Sequence, residues 1–195
     1  MSDKKFHETV EKVFQPKSSR LDQLARLWSK HEIKPEQAEP VGPGEESVWS
    51  YPRPPAVVFV KNKFSVFLNG KKILQAEDAI KVMETASPPT YYFAREALLC
   101  QTDTSEKKSH CEWKGVAHYL HFIIDEKVYK DVAWYYATPF IEYPMLKGLI
   151  SLYPSKFDVF IGEEKVRAQD GDFYGGWITS EIKGPFKGDP GTETW

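Results

Sequence analysis

Cysteine is scarce in this sequence: 195 residues contain 2, Cys100 and Cys111. That number rules out a disulfide framework, and no Cys-x-x-Cys pair exists to hold a structural zinc. A dominant charge is missing as well. With 26 basic and 28 acidic residues the formal charge is -2, which gives no electrostatic argument for nucleic acid or an anionic membrane. No apolar run approaches the roughly 18 residues of a membrane span. The opening Met-Ser-Asp-Lys-Lys-Phe-His-Glu lacks the apolar stretch of a signal peptide. The expectation is a cytoplasmic protein, with the nucleus as the other reducing compartment, and no nucleic-acid or membrane partner. Aromatics, by contrast, are abundant: they make up 14% of the chain, with 6 Trp and 10 Tyr. Such side chains line cores and pockets alike, so abundance alone does not choose between the two.

Residues 1–46 read as a helical arm followed by a linker. Phe6, Val10, Val13 and Phe14 recur at helical spacing until Pro16. A second helix is expected at Leu21, Leu24, Ala25 and Trp28, with Ser19 as its N-cap and Asp22 at the capping-box position. Pro35, Pro40, Gly42, Pro43 and Gly44 then mark the linker. The arm packs either on its own domain or on another copy, which makes a homo-oligomer joined through the arm one of the partners the sequence allows.

From residue 47 to 195 the patterning becomes mainly β. Val57–Val60 is a short apolar run, and Phe64–Leu68 and Ile73-Leu74 flank Asn69-Gly70, a strong hairpin signal because both residues tolerate positive φ. Tyr119–Ile124 and Val128–Tyr136 form a second hairpin around Asp125-Glu126-Lys127. Leu149–Tyr153, Val159–Ile161 and Val166 add strands, with a turn near Gly162. Ala79, Ile80 and Met83 predict a short helix over 77–85, ended by Ser87-Pro88-Pro89. The Gly-, Pro- and aromatic-rich tail from Asp170 is expected to wrap the sheet as ordered loop.

Five segments combine unusual residues: Trp49-Ser-Tyr51-Pro-Arg53-Pro-Pro, Glu84-Thr-Ala-Ser-Pro-Pro-Thr-Tyr91-Tyr92, His110-Cys111-Glu-Trp113-Lys114-Gly115, Ala133-Trp134-Tyr-Tyr136 and Asp172-Phe-Tyr174-Gly-Gly-Trp177. In order and spacing these resemble the family catalogued as domain of unknown function 427, from Val48 to the end and without the arm. Two positions depart from its pattern: Glu112 stands where the family usually has Pro, and Ala137 where Pro often follows the Trp-x-Tyr motif. The resemblance implies two antiparallel sheets meeting at an angle in a β-tent, similar to the zinc-binding nucleotide-exchange and methionine-sulfoxide-reductase folds. It implies no agreed activity. A nucleotidyltransferase label attached to the family needs a Gly-Ser or Gly-Gly helix start followed by an Asp-x-Asp pair. Here Asp170-Gly171-Asp172 precedes Gly175-Gly176, the reverse order, and reads as an acidic turn.

The chemistry-bearing residues are then Glu84, Cys111 and Lys114 as catalytic candidates. Arg53, Tyr91, Tyr92, Trp113, Trp134, Tyr136 and Trp177 are candidates for lining a binding site. A carboxylate at the end of the expected helix opposes the macrodipole, so Glu84 calls for a partner, either a structural one or a ligand. Cys111 is a nucleophile or a small buried hydrophobe; His110 or Lys114 nearby would favour its thiolate. Lys114 binds an anion, forms a Schiff base, or is solvated in a turn. Arg53 stacks on the aromatics or pairs with Glu84. Trp49, Tyr51, Trp134 and Tyr136 alternate along strands and read as one aromatic wall. His118 and His121 are three apart and diverge in a strand, so the sequence assigns no metal, and nothing in it calls for a cofactor. Two readings remain. One is a module or enzyme that takes a small molecule in an aromatic-lined pocket. The other is an interaction protein assembled through its arm and aromatic surface.

Overall fold

The computed structural model describes residues 9–10, 13–28, 38–171, 173–189 and 192. The arm and the approach to the main domain hold β1 (Thr9–Val10), α1 (Ser19–Trp28) and β2 (Glu46–Ser47). Then come β3 (Ala56–Leu68), β4 (Lys71–Glu84), β5 (Ser87–Tyr92), β6 (Gln101–Cys111), β7 (Gly115–Ile124), β8 (Lys127–Tyr135) and β9 (Ile150–Leu152). Short strands follow: β10 (Asp158–Ile161), β11 (Glu164–Lys165), β12 (Arg167–Ala168), β13 (Trp177–Ile178) and β14 (Ile182–Lys183).

Two antiparallel sheets carry the fold. One runs β11-β10-β3-β4-β5 with β1 also on β3, and the other runs β6-β7-β8-β9. They join where Phe93 N–H donates to the Ile150 carbonyl at 2.8 Å and Ile150 N–H returns the bond at 2.9 Å. The chain is thus mainly β with a helical N-terminal extension, and its two joined sheets fit the tent-like form. Asn69 (φ +50°) and Gly70 (φ +76°) turn β3 into β4, and Asp125 (φ +50°) and Glu126 (φ +62°) turn β7 into β8. Left-handed residues at both positions match the twist of the flanking strands.

Three local expectations are corrected. The helix expected over 77–85 is the second half of β4, where Ala79 pairs with Val60 and Met83 with Ala56. The long apolar β3 supplies a ladder partner for this backbone, and that non-local pairing overrides the local spacing. In the arm, Thr9 and Val10 pair as strand with Lys61 and Val60, and Phe14 exchanges two backbone bonds with Val57. The first arm helix is therefore absent over these residues; Phe6 and Pro35 lie outside the described ones. The second helix forms, but Ser18 caps it, its Oγ accepting from Leu21 N–H at 3.2 Å.

The arm packs on its own domain, with Leu21 fully buried. The stretch after it is tied to the tail: β2 pairs in parallel with β14, Gly184 N–H donates to Glu39 at 3.1 Å, and Lys183 pairs with Glu45 at 3.0 Å. Strand β6 carried no apolar pattern in the sequence. It is an exposed polar edge strand that, among the described residues, pairs with β7 alone, and its charges discourage pairing with other chains.

Side-chain alternation divides the interior into two clusters. Ala79, Met83, Tyr91, Phe93, Leu120, Phe122 and Ala133 join one, with Trp177. Val82, Tyr92, Ala117, Tyr119, Trp134 and Tyr136 join the other, with Leu21.

Candidate functional site

A cleft of about 230 Å³ opens on the second cluster. Its walls follow from strand periodicity, since every second residue faces one side. β4 contributes Val82 and Glu84, and β5 contributes Pro88, Thr90 and Tyr92. β7 adds Ala117 and Tyr119, and β8 leads in Trp134 and Tyr136. The far wall is the end of β6 and its turn, Ser109 to Lys114, and the rim comes from Gln169, Phe173, Tyr174, Gly175 and Lys187 of the tail.

The turn is held from several sides. Gly115, at φ +103°, takes a backbone conformation that a side chain would strain. Phe140 N–H donates to the Lys114 carbonyl at 3.1 Å. From α1, Arg20 donates to the carbonyls of Glu112 at 2.8 Å and Trp113 at 3.2 Å, while its guanidinium grips Glu142 at 2.9 and 3.0 Å. Those bonds from Arg20 hold the Glu142 carboxyl down at about 2. The tail is fastened by Gln169, whose amide donates to the Lys187 carbonyl at 2.6 Å and accepts from Gly176 N–H at 3.1 Å. A side chain at Gly175 would run into the Trp134 indole, and one at Gly176 into Gln169 and Pro88.

Glu84 accepts from Trp113 Nε1 at 3.0 Å, and Arg53 Nε lies 3.7 Å from the same carboxylate. Lys114 Nζ stands 3.8 Å from Glu84 Oε2, beyond hydrogen-bond reach. Lys114 is only 8% exposed, and Glu84 meets its ammonium as an ion pair rather than as a hydrogen bond. Burial works against its charge, but Cys111, Glu84, Tyr92 and Tyr143 outweigh burial and keep the group above its ordinary value. Lys114 is therefore an ammonium, a donor of three N–H bonds and no nucleophile, which disfavours a Schiff base. Burial pushes the Tyr92 hydroxyl up, Lys114 opposing, and pushes Tyr136 up further. At the rim, burial lowers Lys187, whose Nζ lies over the rings of Trp28 and Tyr174 at 5.7 Å each.

Hydroxyls line the rest. Trp134 Nε1 donates to Tyr92 Oη at 3.2 Å, Ser109 and Tyr119 share a bond of 3.0 Å, and Tyr153 donates to Tyr119 at 3.4 Å. Of the residues singled out in the sequence, Glu84, Cys111, Lys114, Tyr92, Trp113, Trp134 and Tyr136 all line this cleft. Tyr91 and Trp177 do not. They stack at 5.1 Å within the other cluster, because Tyr91 and Tyr92 are neighbours on a strand and face opposite ways. Arg53 stands behind the wall, donating to the Thr85 carbonyl at 3.0 Å. The single aromatic wall is also corrected: Trp49 donates to the Pro185 carbonyl and Tyr51 to Glu46, both away from Trp134 and Tyr136. Tyr119, Tyr153, Gln169 and Lys187 were not singled out. Tyr119 was findable, since the β7–β8 hairpin register sets it opposite Trp134; the tail residues arrive by long-range folding.

His118 packs against Tyr135, whereas His121 accepts from Asp131 N–H at 3.0 Å. Among the described residues no group of three metal-ligating side chains converges. Asp172 lies outside them. Nor is any helix among them long and apolar enough to cross a membrane.

Fold and cleft together define a small β domain with an aromatic-walled, partly enclosed pocket. The chain belongs to the family described as a domain of unknown function (DUF427), which matches residues 56–163. The matched stretch includes both hairpins and the Cys111–Lys114 turn, but neither α1 nor the tail that rims the cleft. No curated protein matches the sequence.

Proposed function

We propose that the cleft binds a small organic anion, its charged oxygen seated on Lys114 and its body against Tyr92, Trp134 and Tyr136. The observation that supports this is the Lys114 ammonium, which lines the cleft and meets Glu84 at 3.8 Å, outside hydrogen-bond distance. A ligand oxygen on that ammonium would make a charge-assisted hydrogen bond, which Glu84 at 3.8 Å does not supply. Aromatic walls with a few convergent polar groups suit a small ligand, and about 230 Å³ lies just below the roughly 300–1,000 Å³ of drug-sized sites. Glu84 orients the turn through Trp113 and disfavours a second anionic group beside it. A reducing cytoplasmic or nuclear setting would keep the neighbouring Cys111 thiol free.

Thermal-shift measurements with benzoate, cinnamate and their amides test the reading. The carboxylates are expected to raise the melting temperature and the amides to do so much less. Lys114→Met should weaken carboxylate binding by about 1.5–3 kcal/mol, as for a charged hydrogen bond. Equal shifts with acids and amides, or binding untouched by the substitution, would sink it. The alternative reading, assembly through the arm and aromatic surface, draws on Val13, Phe14, Leu27 and Phe173, which are exposed although Leu21 is buried; sedimentation of the full chain tests it.

A further inference from the structure

Cys111 ends β6 and lines the cleft as a free, half-buried thiol. The turn is tight, since Cys111 pairs with Gly115 across it, and Cys111 and Lys114 both line the cleft. The Tyr136 ring lines the same cleft, its centroid 6.3 Å from that of Tyr92. A nucleophilic sulfur, a cation and an aromatic ring thus share one cleft. Cysteine sulfur is an intrinsically strong nucleophile.

We propose that Cys111 is a nucleophilic site for small α,β-unsaturated carbonyl compounds that carry a carboxylate. This rests on the reading of the cleft as an anion site. Lys114 seats the carboxylate, and Cys111 Sγ forms a bond to the β-carbon. The electrons of the carbon–carbon double bond move to the α-carbon, which takes up the proton given up by the thiol. The product is a thioether; nothing leaves and no oxidant or reductant is consumed.

Full-length protein treated separately with iodoacetate and iodoacetamide tests the charge selectivity, and 3-benzoylacrylate tests the addition, both read by peptide mass mapping. Against glutathione as reference, Cys111 is expected to favour the anionic reagent over the neutral one by on the order of ten-fold. Cys100, whose thiol burial pushes up to about 11, should show no such preference. Lys114→Met should remove the selectivity, and 3-benzoylacrylate should add to Cys111 with its full mass. Should Lys114→Met fail to fold, protection of wild-type Cys111 from iodoacetamide by benzoate gives the same information. No anionic preference at Cys111, a preference that survives Lys114→Met, absent protection, or no benzoylacrylate adduct would each overturn the proposal. Cys111→Ser separates the two claims: a melting shift with benzoate in that variant upholds the anion site even where thiol addition fails. Loss of the shift in wild type removes both.

Discussion

On one side of β7 and β8, Leu120, Phe122 and Ala133 pack into apolar side chains of the other sheet. On the opposite side, Tyr119, Trp134 and Tyr136 bring hydroxyls and an indole N–H to a cleft. Both clusters are aromatic-rich and well buried, so ring content does not tell them apart. What separates them is the space in front of the rings. Phe64, Tyr91, Phe93 and Trp177 close on each other with centroids 5.1–6.5 Å apart and leave no room. In the cleft Trp134 donates to Tyr92 and Tyr119 bonds Ser109, and the wall stays open beside Lys114. A sealed core tolerates an ammonium poorly, whereas an open wall can hold one for a ligand.

The comparison can be broken most forcefully from the core side. Phe122→Ala should cost about 3–5 kcal/mol in urea denaturation, since a fully buried ring leaves a cavity that neighbours only partly fill. Leu21→Ala, at the seam between arm and cleft cluster, should cost about 2–5 kcal/mol by the same measurement. We also propose that residues 47–195 fold without the arm: expressed alone, they should unfold cooperatively at a lower urea midpoint, and a product that only aggregates would refute this. Gln169→Ala breaks the tail clasp and should cost about 1–3 kcal/mol, with Lys187 becoming more accessible to acylation.

Lys114→Met sharpens the contrast from the other side. It should remove anion binding at a smaller stability cost than Phe122→Ala, because Glu84 keeps its bond from Trp113 and its contact with Arg53. A large stability loss would make Lys114 a structural ion. The smallest expected effect is on acid stability. Arg20 depresses the folded Glu142 carboxyl from 4.5 to about 2, so the bond's contribution is present above pH 4.5 and lost as pH falls toward 2. Tryptophan fluorescence should follow this loosening of α1, and Glu142→Gln should abolish that part of the profile.

Much of the site was legible locally. Trp134 and Tyr136 two apart on a strand predict a shared face, and the Cys111–Gly115 spacing predicts a tight turn that sets Cys111 and Lys114 together. Glu84 was legible as a residue needing a partner, although the reason offered, a helix end, was replaced by a strand. Tyr91 and Tyr92 were inseparable without knowing which parity faced the cleft.

Alternation, turn residues and composition by themselves determined a mainly β chain, two hairpins, one arm helix and a turn bearing Cys111 and Lys114. These are signals within a few residues, set by backbone sterics and by the two-residue period of a strand. The tertiary structure alone decided that 77–85 would be strand, that polar β6 would be a sheet edge, and that Arg20 and Gln169 would brace the site from segments far along the chain. Each of those outcomes depends on a partner distant in sequence, β3 for β4, β7 for β6 and the arm for the turn. The free energy of such non-local pairings outweighs local preference, and no window of the sequence contains both partners.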